Sequence, residues 1–414
     1  MSHKINTRWL PLFITNFLGV LNDNYLKYLV FYISTTWLLK NQEAMVLMIA
    51  QVAFVLPYIV FSPMAGKLAR DHSKAKIIQY AKLYEIPIMG VAALGFILNN
   101  IIITMLSVFL MGLQSCLFSP AKYGIIRDIG GRKGIPFGTG AMEMLTFFGV
   151  LTGTYVAGLT SDLRLIDSVA AYRTPLLCAV LMLLALIGWL TSRKIHPKET
   201  VPDEEEPTTL NPIRFFIQSF QWSRQIKGLN TVIFSLATFW AIGSILQLNV
   251  VFHCRNTLNL SDAMSSTIMA LVAIGIGAGC YVTGVISNKQ LKMHLVPIGG
   301  LGMLLCVSLI FVLNPATTLF TILIVLTAFF AGMFKIPLNA FIQDRVHGRK
   351  LGLILAYNNL TLFTFILLSA GLFGAVETIA NSLTVFAAVA AITFTIALLA
   401  WWHIPGAGRV KMSS

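Results

Sequence analysis

The chain has 414 residues, 57% of them hydrophobic and only 11% charged, with a mean hydropathy of +0.78. A soluble domain carries about a quarter charged residues, so half that proportion excludes a water-exposed globule and means that lipid covers most of the surface. The net charge of +14, from 30 Lys and Arg against 16 Asp and Glu, need not mean nucleic acid, because basic residues in a membrane protein mark its cytoplasmic loops.

At ~20 residues per spanning helix, the apolar stretches predict an all-α membrane protein with twelve crossings. The predicted spans are 10–38, 44–66, 77–98, 101–119, 137–159, 173–192, 230–251, 265–287, 294–313, 318–340, 352–373 and 382–402. Trp9 to Leu39 is too long for the apolar core of a signal peptide and lacks a small-residue cleavage site. With the N-terminus inside, the inner loops hold Lys67, Arg70, Lys74, Arg127, Arg132, Lys133 and the run from Arg193 to Lys227, whereas the outer loops keep only Lys40, Arg164, Arg173 and Arg255. That asymmetry predicts both termini on the cytoplasmic side. The five scattered cysteines have neither metal-ligand nor redox spacing.

An internal repeat divides the chain. The segment after the fourth span reads FSPAKYGIIRDIGGRKG and the one after the tenth reads FKIPLNAFIQDRVHGRKLG. Pro120, Ile125, Gly131, Arg132 and Lys133 recur at a constant offset of 217 as Pro337, Ile342, Gly348, Arg349 and Lys350, and Gly66 is echoed by Gly284. Two six-helix pseudo-symmetric halves, 1–192 and 230–414, joined by a cytoplasmic linker at 193–229, are the architecture of the major facilitator superfamily. In the linker, the acidic run Asp203–Glu206 reads as solvated chain. Asn211-Pro212 reads as a helix start, followed by Ile213, Phe216, Ile217, Phe220 and Trp222 interleaved with Arg214, Arg224 and Lys227. That pattern suits an interfacial amphipathic helix over 212–227 in the inner leaflet, or one that binds a partner.

No phosphate-cradling loop, metal-ligand cluster or Ser/His/Asp order is present, so neither an enzyme nor a cofactor is expected. Gly275, Gly277 and Gly279 read as close helix packing. The informative residues are ionisable groups inside spans, because burying one costs ~3 kcal/mol or more unless it is paired or wet. Asp23 sits within Asn22-Asp23-Asn24, with Lys27 at i+4 on the same face; Glu85 has Lys82 at i−3. Either pair could simply neutralise itself. Glu143 lies two turns into the fifth span, and Gln247 and Asn249 are polar positions in the seventh. Lys122 is open between pairing with Glu143 and snorkelling; for Lys335, snorkelling to the interface is the favoured reading. His253 falls at the outer end of the seventh span and is a poor proton relay.

Asn22-Asp23-Asn24, Ser119-Pro120-Ala121-Lys122-Tyr123-Gly124, Met142-Glu143, Val272-Ala273-Ile274-Gly275-Ile276 and Pro337-Leu338-Asn339-Ala340 with Gln343 resemble the bacterial lysophospholipid transporters, through both halves from about residue 10 to 370. The resemblance implies movement of lyso-phosphatidylethanolamine and lyso-phosphatidylglycerol from the outer to the inner leaflet of the bacterial cytoplasmic membrane. It also implies a separate acyl-ACP-dependent acyltransferase as partner, no nucleic acid, and a monomer. Asp23 matches the family's acid in the first helix, Lys122 its motif lysine and Glu143 its acid in the fifth. Gln247 stands where the family often has an arginine, Lys27 where it has an apolar residue, and Arg70, beside Asp71, where the superfamily's loop usually has an acid.

The expectation is an alternating-access transporter. Asp23, Asn22, Asn24, Lys27, Gln247 and Asn249 would contact the head group, with Lys27 supplying the positive charge missing from the seventh helix. Lys122, Glu143, Arg127, Arg70 and Asp71 would form the gate. The alternative is a proton-coupled exporter of amphipathic drugs or small solutes, with Asp23 or Glu85 as the titrating group. A scaffold that recruits an acyltransferase through helix 212–227 is the third reading.

Overall fold

A computed structural model describes residues 8–30, 43–162, 170–196, 209–287, 290–348, 350–377 and 382–407. In chain order the helices are α1 (Leu10–Leu29), α2 (Glu43–Val60), α3 (Ser62–Asp71), α4 (Lys74–Ile97), α5 (Ile101–Asp162), α6 (Ala170–Ser192) and α7 (Pro212–Ser223). They continue with α8 (Leu229–Asn256), α9 (Asp262–Ile286), α10 (Leu295–Leu313), α11 (Thr317–Arg345), α12 (Lys350–Glu377) and α13 (Ser382–His403). Among the described residues nine helices are long and apolar enough to cross a membrane, or ten if the bent pair α2–α3 is one span. The 62-residue α5 supplies two crossings, and the 20-residue α1 adds one although Asn22-Asp23-Asn24 makes it more polar. Counted in this way, the described residues hold twelve candidate crossings, the number expected. The acidic run Asp203–Glu206 and Arg349 of the repeat lie outside the described residues.

Three boundaries differ from expectation, each for a local reason. The second crossing bends by 50° at Phe61. Pro57 lacks the N–H that would continue the helix, and Pro63 occupies the first turn of α3. The Ser62 hydroxyl donates to the Tyr58 carbonyl at the break. The segment after the fourth crossing, expected as a loop, stays helical as far as Gly130, because Ala121, Ile125 and Ile126 bury one face. Gly131 then leaves the helix with φ 60°. Finally, α7 ends at Ser223 rather than 227. Gly228, at φ 83°, turns the chain into α8, and the Asn230 amide donates to the Phe220 carbonyl at 3.0 Å. The start of α7 is as predicted: Asn211 Oδ1 accepts from the N–H groups of Ile213 and Arg214 at 3.0 and 3.1 Å.

The repeat has structural counterparts. Gly131 and Gly348 both take a positive φ, 60° and 62°. A Cβ added to Gly66 would lie 2.9 Å from Ala356 Cβ and 3.3 Å from Leu353 Cα. One added to Gly284 would lie 3.0 Å from both Gly140 Cα and the Pro136 carbonyl oxygen. Pro136 and Leu353 are themselves 217 residues apart, so corresponding helices make corresponding backbone-to-backbone contacts.

The chain forms two compact units. The first comprises Met1–Ile129, Phe148–Phe215 and Gly348–Ala356; the second comprises Gly130–Phe147, Phe216–His347 and Tyr357–Ser414. In the first, α6 packs on α1 and α4 around Leu21, Tyr25, Met89, Phe96 and Leu181. In the second, α11 packs on α9 and α10. The glycine run of α9 explains that contact: a Cβ at Gly275 would lie 2.8 Å from the Val325 carbonyl oxygen, and one at Gly279 only 2.0 Å from that of Phe329. Gly277, on another face, looks toward Met144 and Phe147 at an ordinary 3.8 Å.

Candidate functional site

In the first unit, α1, α4 and the first arm of α5 enclose a polar network. Asn22 Nδ2 donates to Glu85 Oε1 at 2.7 Å, and Lys82 Nζ lies 2.5 Å from Glu85 Oε2. Lys82 and Glu85 are 2% and 1% exposed. They are the self-neutralising pair that their i, i+3 spacing suggests, with Asn22 added as a third member. At the next residue of α1, the Ser115 hydroxyl lies 2.8 Å from Asp23 Oδ2 and 3.1 Å from Gln114 Oε1. Gln114 is fixed in turn by donating to the Ala81 carbonyl at 3.0 Å. Asp23 Oδ1 and Asn22 Oδ1 are buried and accept no hydrogen bond. An unmade hydrogen bond at a buried polar atom costs about 1–3 kcal/mol, and these two acceptors belong to consecutive residues of α1.

The other expected site residues divide. The Lys27 ammonium sits over the Phe54 ring, 4.4 Å from its centroid. Asn24 turns back onto its own helix, donating to the Val20 carbonyl at 2.8 Å. Lys122 Nζ donates to Asn16 Oδ1 at 3.1 Å and lies over the Phe118 and Tyr123 rings. Arg70 makes a two-pronged contact with Asp71, at 2.5 and 3.1 Å. Lys74 reaches Asp128 at 2.6 Å, and Arg127 is half-buried nearby in sequence.

Gln247 and Asn249 belong to the second unit. Gln247 is exposed. Asn249 is buried, and its amide donates to the Ser382 carbonyl at 3.0 Å. His253 Nδ1 lies 2.9 Å from the Ser382 hydroxyl, between the Phe320 and Phe386 rings. These contacts tie α8 to the start of α13.

Glu143 is also in the second unit, and here the structure corrects the reading of Lys335. Lys335 does not snorkel. It is 1% exposed, and its Nζ lies 2.7 Å from Glu143 Oε2. Asn339, one turn along α11, donates to Glu143 Oε1 at 3.2 Å, and Gln343, a further turn on, donates to the Thr139 hydroxyl at 3.1 Å. Exposed Arg132 forks onto Asp344 at 2.5 and 3.1 Å. A row of contacts thus joins the Gly130–Phe147 segment to α11. Two lone opposite charges in otherwise apolar spans were the available signal for the Glu143–Lys335 pair. No spacing rule links residues 192 apart, and the same is true of Ser115 with Asp23.

The profile of the Major Facilitator Superfamily matches residues 12–371. Among curated proteins, the lysophospholipid transporter LplT of Citrobacter koseri is 28% identical over 337 residues, covering 78% of each chain. The protein of the same name from Yersinia pestis is 27% identical over 334 residues, covering 79% of this chain and 77% of its own. Among solved structures, the superfamily transporter FucP in its outward conformation superposes with a TM-score of 0.74 at 12% identity, over 96% of this chain and 98% of its own. A bacterial homologue of the iron transporter ferroportin gives a TM-score of 0.74 at 13% identity, over 97% and 100%.

Proposed function

The chain belongs to the Major Facilitator Superfamily as a multi-pass membrane transporter, and from that premise we propose that it carries lysophospholipids across a bacterial cytoplasmic membrane by alternating access. Similarity to the LplT proteins along about four-fifths of the chain supports the substrate class. The observation that carries the reading is the pair of buried, unmet acceptors Asn22 Oδ1 and Asp23 Oδ1 in α1. A lysophospholipid has a free hydroxyl on its glycerol backbone where a diacyl lipid carries its second acyl chain, and that hydroxyl donates to such acceptors. Its phosphate needs a positive charge. Lys27 is one turn along the same helix, with its ammonium resting on an aromatic face rather than locked to a carboxylate. The acyl chain needs no polar partner and stays in lipid while the head group crosses, from the outer to the inner leaflet.

The Glu143–Lys335 and Arg132–Asp344 pairs act in this reading as contacts that break and re-form during the cycle, with both termini in the cytoplasm. A separate acyltransferase would then re-acylate the product. Uptake of radiolabelled lyso-phosphatidylethanolamine into spheroplasts expressing the chain tests the reading. Uptake that persists under a protonophore supports it. Uptake that collapses under the protonophore supports the proton-coupled alternative, with Asp23 or Glu85 as the titrating group.

A further inference from the structure

Lys335 is surrounded by more than its carboxylate partner. Its Nζ lies 4.3 Å from the centroid of Trp240, 5.2 Å from that of Phe147 and 5.6 Å from that of Phe239. Trp240 stacks on Phe147 with centroids 6.4 Å apart and meets Phe239 edge-on at 5.7 Å. The Glu143 carboxylate completes the enclosure and is itself oriented by the Asn339 amide. Three aromatic faces and one buried carboxylate around a single ammonium are the recognition chemistry of an aminoalkyl cation. A lysine that only had to neutralise Glu143 would not need it. Phe239 is buried, whereas Trp240 and Phe147 are half-buried.

We propose that Glu143, Trp240, Phe147 and Phe239 form a subsite for the ammonium of an ethanolamine head group, and that Lys335 is its resident stand-in. The inference rests on the lysophospholipid reading and adds a second recognition point, separate from Asp23. Lys335 holds the box as a tethered primary ammonium. When Lys335 withdraws, Glu143 would be a buried carboxylate without its cation, a costly state. The ammonium of the transported lipid supplies the same charge and the same N–H donors at that moment. A lyso-phosphatidylglycerol head group, which has hydroxyls and no cation, gains nothing from the rings. The box therefore discriminates between the two lipids and couples the ethanolamine lipid to the loss of the Glu143–Lys335 contact.

The test uses purified full-length protein with Lys335→Met and Trp240→Leu variants. Binding of lyso-phosphatidylethanolamine and lyso-phosphatidylglycerol is read from ligand-induced shifts in thermal unfolding. Lys335→Met removes the resident ammonium, so the ethanolamine lipid should stabilise the variant more than it stabilises the wild type, with no such gain for the glycerol lipid. Trp240→Leu should lower the ratio of ethanolamine-lipid to glycerol-lipid affinity by about 30-fold, the size of a desolvated cation–π contact. Equal changes for both lipids in both variants, with wild type binding both, would overturn the subsite and leave the lysophospholipid reading standing. Wild type that binds neither lipid would overturn both.

Discussion

Glu143 and Lys335 are 192 residues apart in sequence, yet their charged atoms lie 2.7 Å from each other and both side chains are almost wholly buried. Removing one member of such a pair leaves an uncompensated charge and costs about 3–5 kcal/mol, while replacing both is far cheaper. Glu143→Gln and Lys335→Met should each lower the unfolding temperature markedly in lipid-free detergent. The double variant should recover most of the loss. Additive losses would show that the two charges do not depend on each other.

Within one short glycine run, neighbouring substitutions should differ sharply. A Cβ at Gly279 would collide with the Phe329 carbonyl at 2.0 Å, where backbone cannot give way, so Gly279→Ala should cost about 1–3 kcal/mol through overpacking. Gly277→Ala meets only ordinary contacts at 3.8 Å and gains helix propensity of up to about 1 kcal/mol. Thermal unfolding of the two variants side by side checks this. Equal effects would mean that α9 and α11 are not in backbone contact at Gly279.

Gly131 and Gly348 are each open to space, with no atom within 4 Å of an added Cβ, and share a positive φ. Alanine at either position should therefore cost the backbone strain alone, about 1–3 kcal/mol. The two sites should respond alike in thermal unfolding, as equivalent positions of the repeat. A neutral alanine at either site would contradict the assigned backbone.

Much of the fold was legible because it is written in composition and repetition. Charge-poor stretches gave the crossings, and the Pro120/Pro337 and Gly131/Gly348 echoes gave the two related halves. Asn211 and Pro212 announced the start of α7 by their capping chemistry. The candidate site was legible only in part. Asp23, Glu85 and Glu143 stood out as charges in apolar spans, and Lys82 with Glu85 followed from helical spacing. The fate of Lys335 did not follow, because snorkelling and pairing differ only in what a distant helix presents. The three rings around it come from α5 and α8, and aromatic residues in spans are too common to single them out.

Asp23 Oδ2 depends on the Ser115 hydroxyl. Ser115→Ala removes that donor and leaves the carboxylate in place. Head-group affinity should fall by about tenfold or more, the worth of a hydrogen bond to a charged group, with insertion into the membrane unchanged. Glu85, which is bound by Lys82 and Asn22 instead, should be insensitive to this change. Unaltered binding in Ser115→Ala would mean that Asp23 does not need that orientation to engage the lipid.

The most direct measurement compares wild type with Asp23→Asn in proteoliposomes, following the movement of lyso-phosphatidylethanolamine from one leaflet to the other without any proton gradient. The account predicts lipid movement by the wild type and a loss of at least about tenfold in Asp23→Asn, equivalent to ~1.4 kcal/mol, in protein that is folded and inserted to the same extent. Wild type that moves no lipid, or Asp23→Asn that moves it as fast as wild type, would contradict the assignment of α1 as the head-group site.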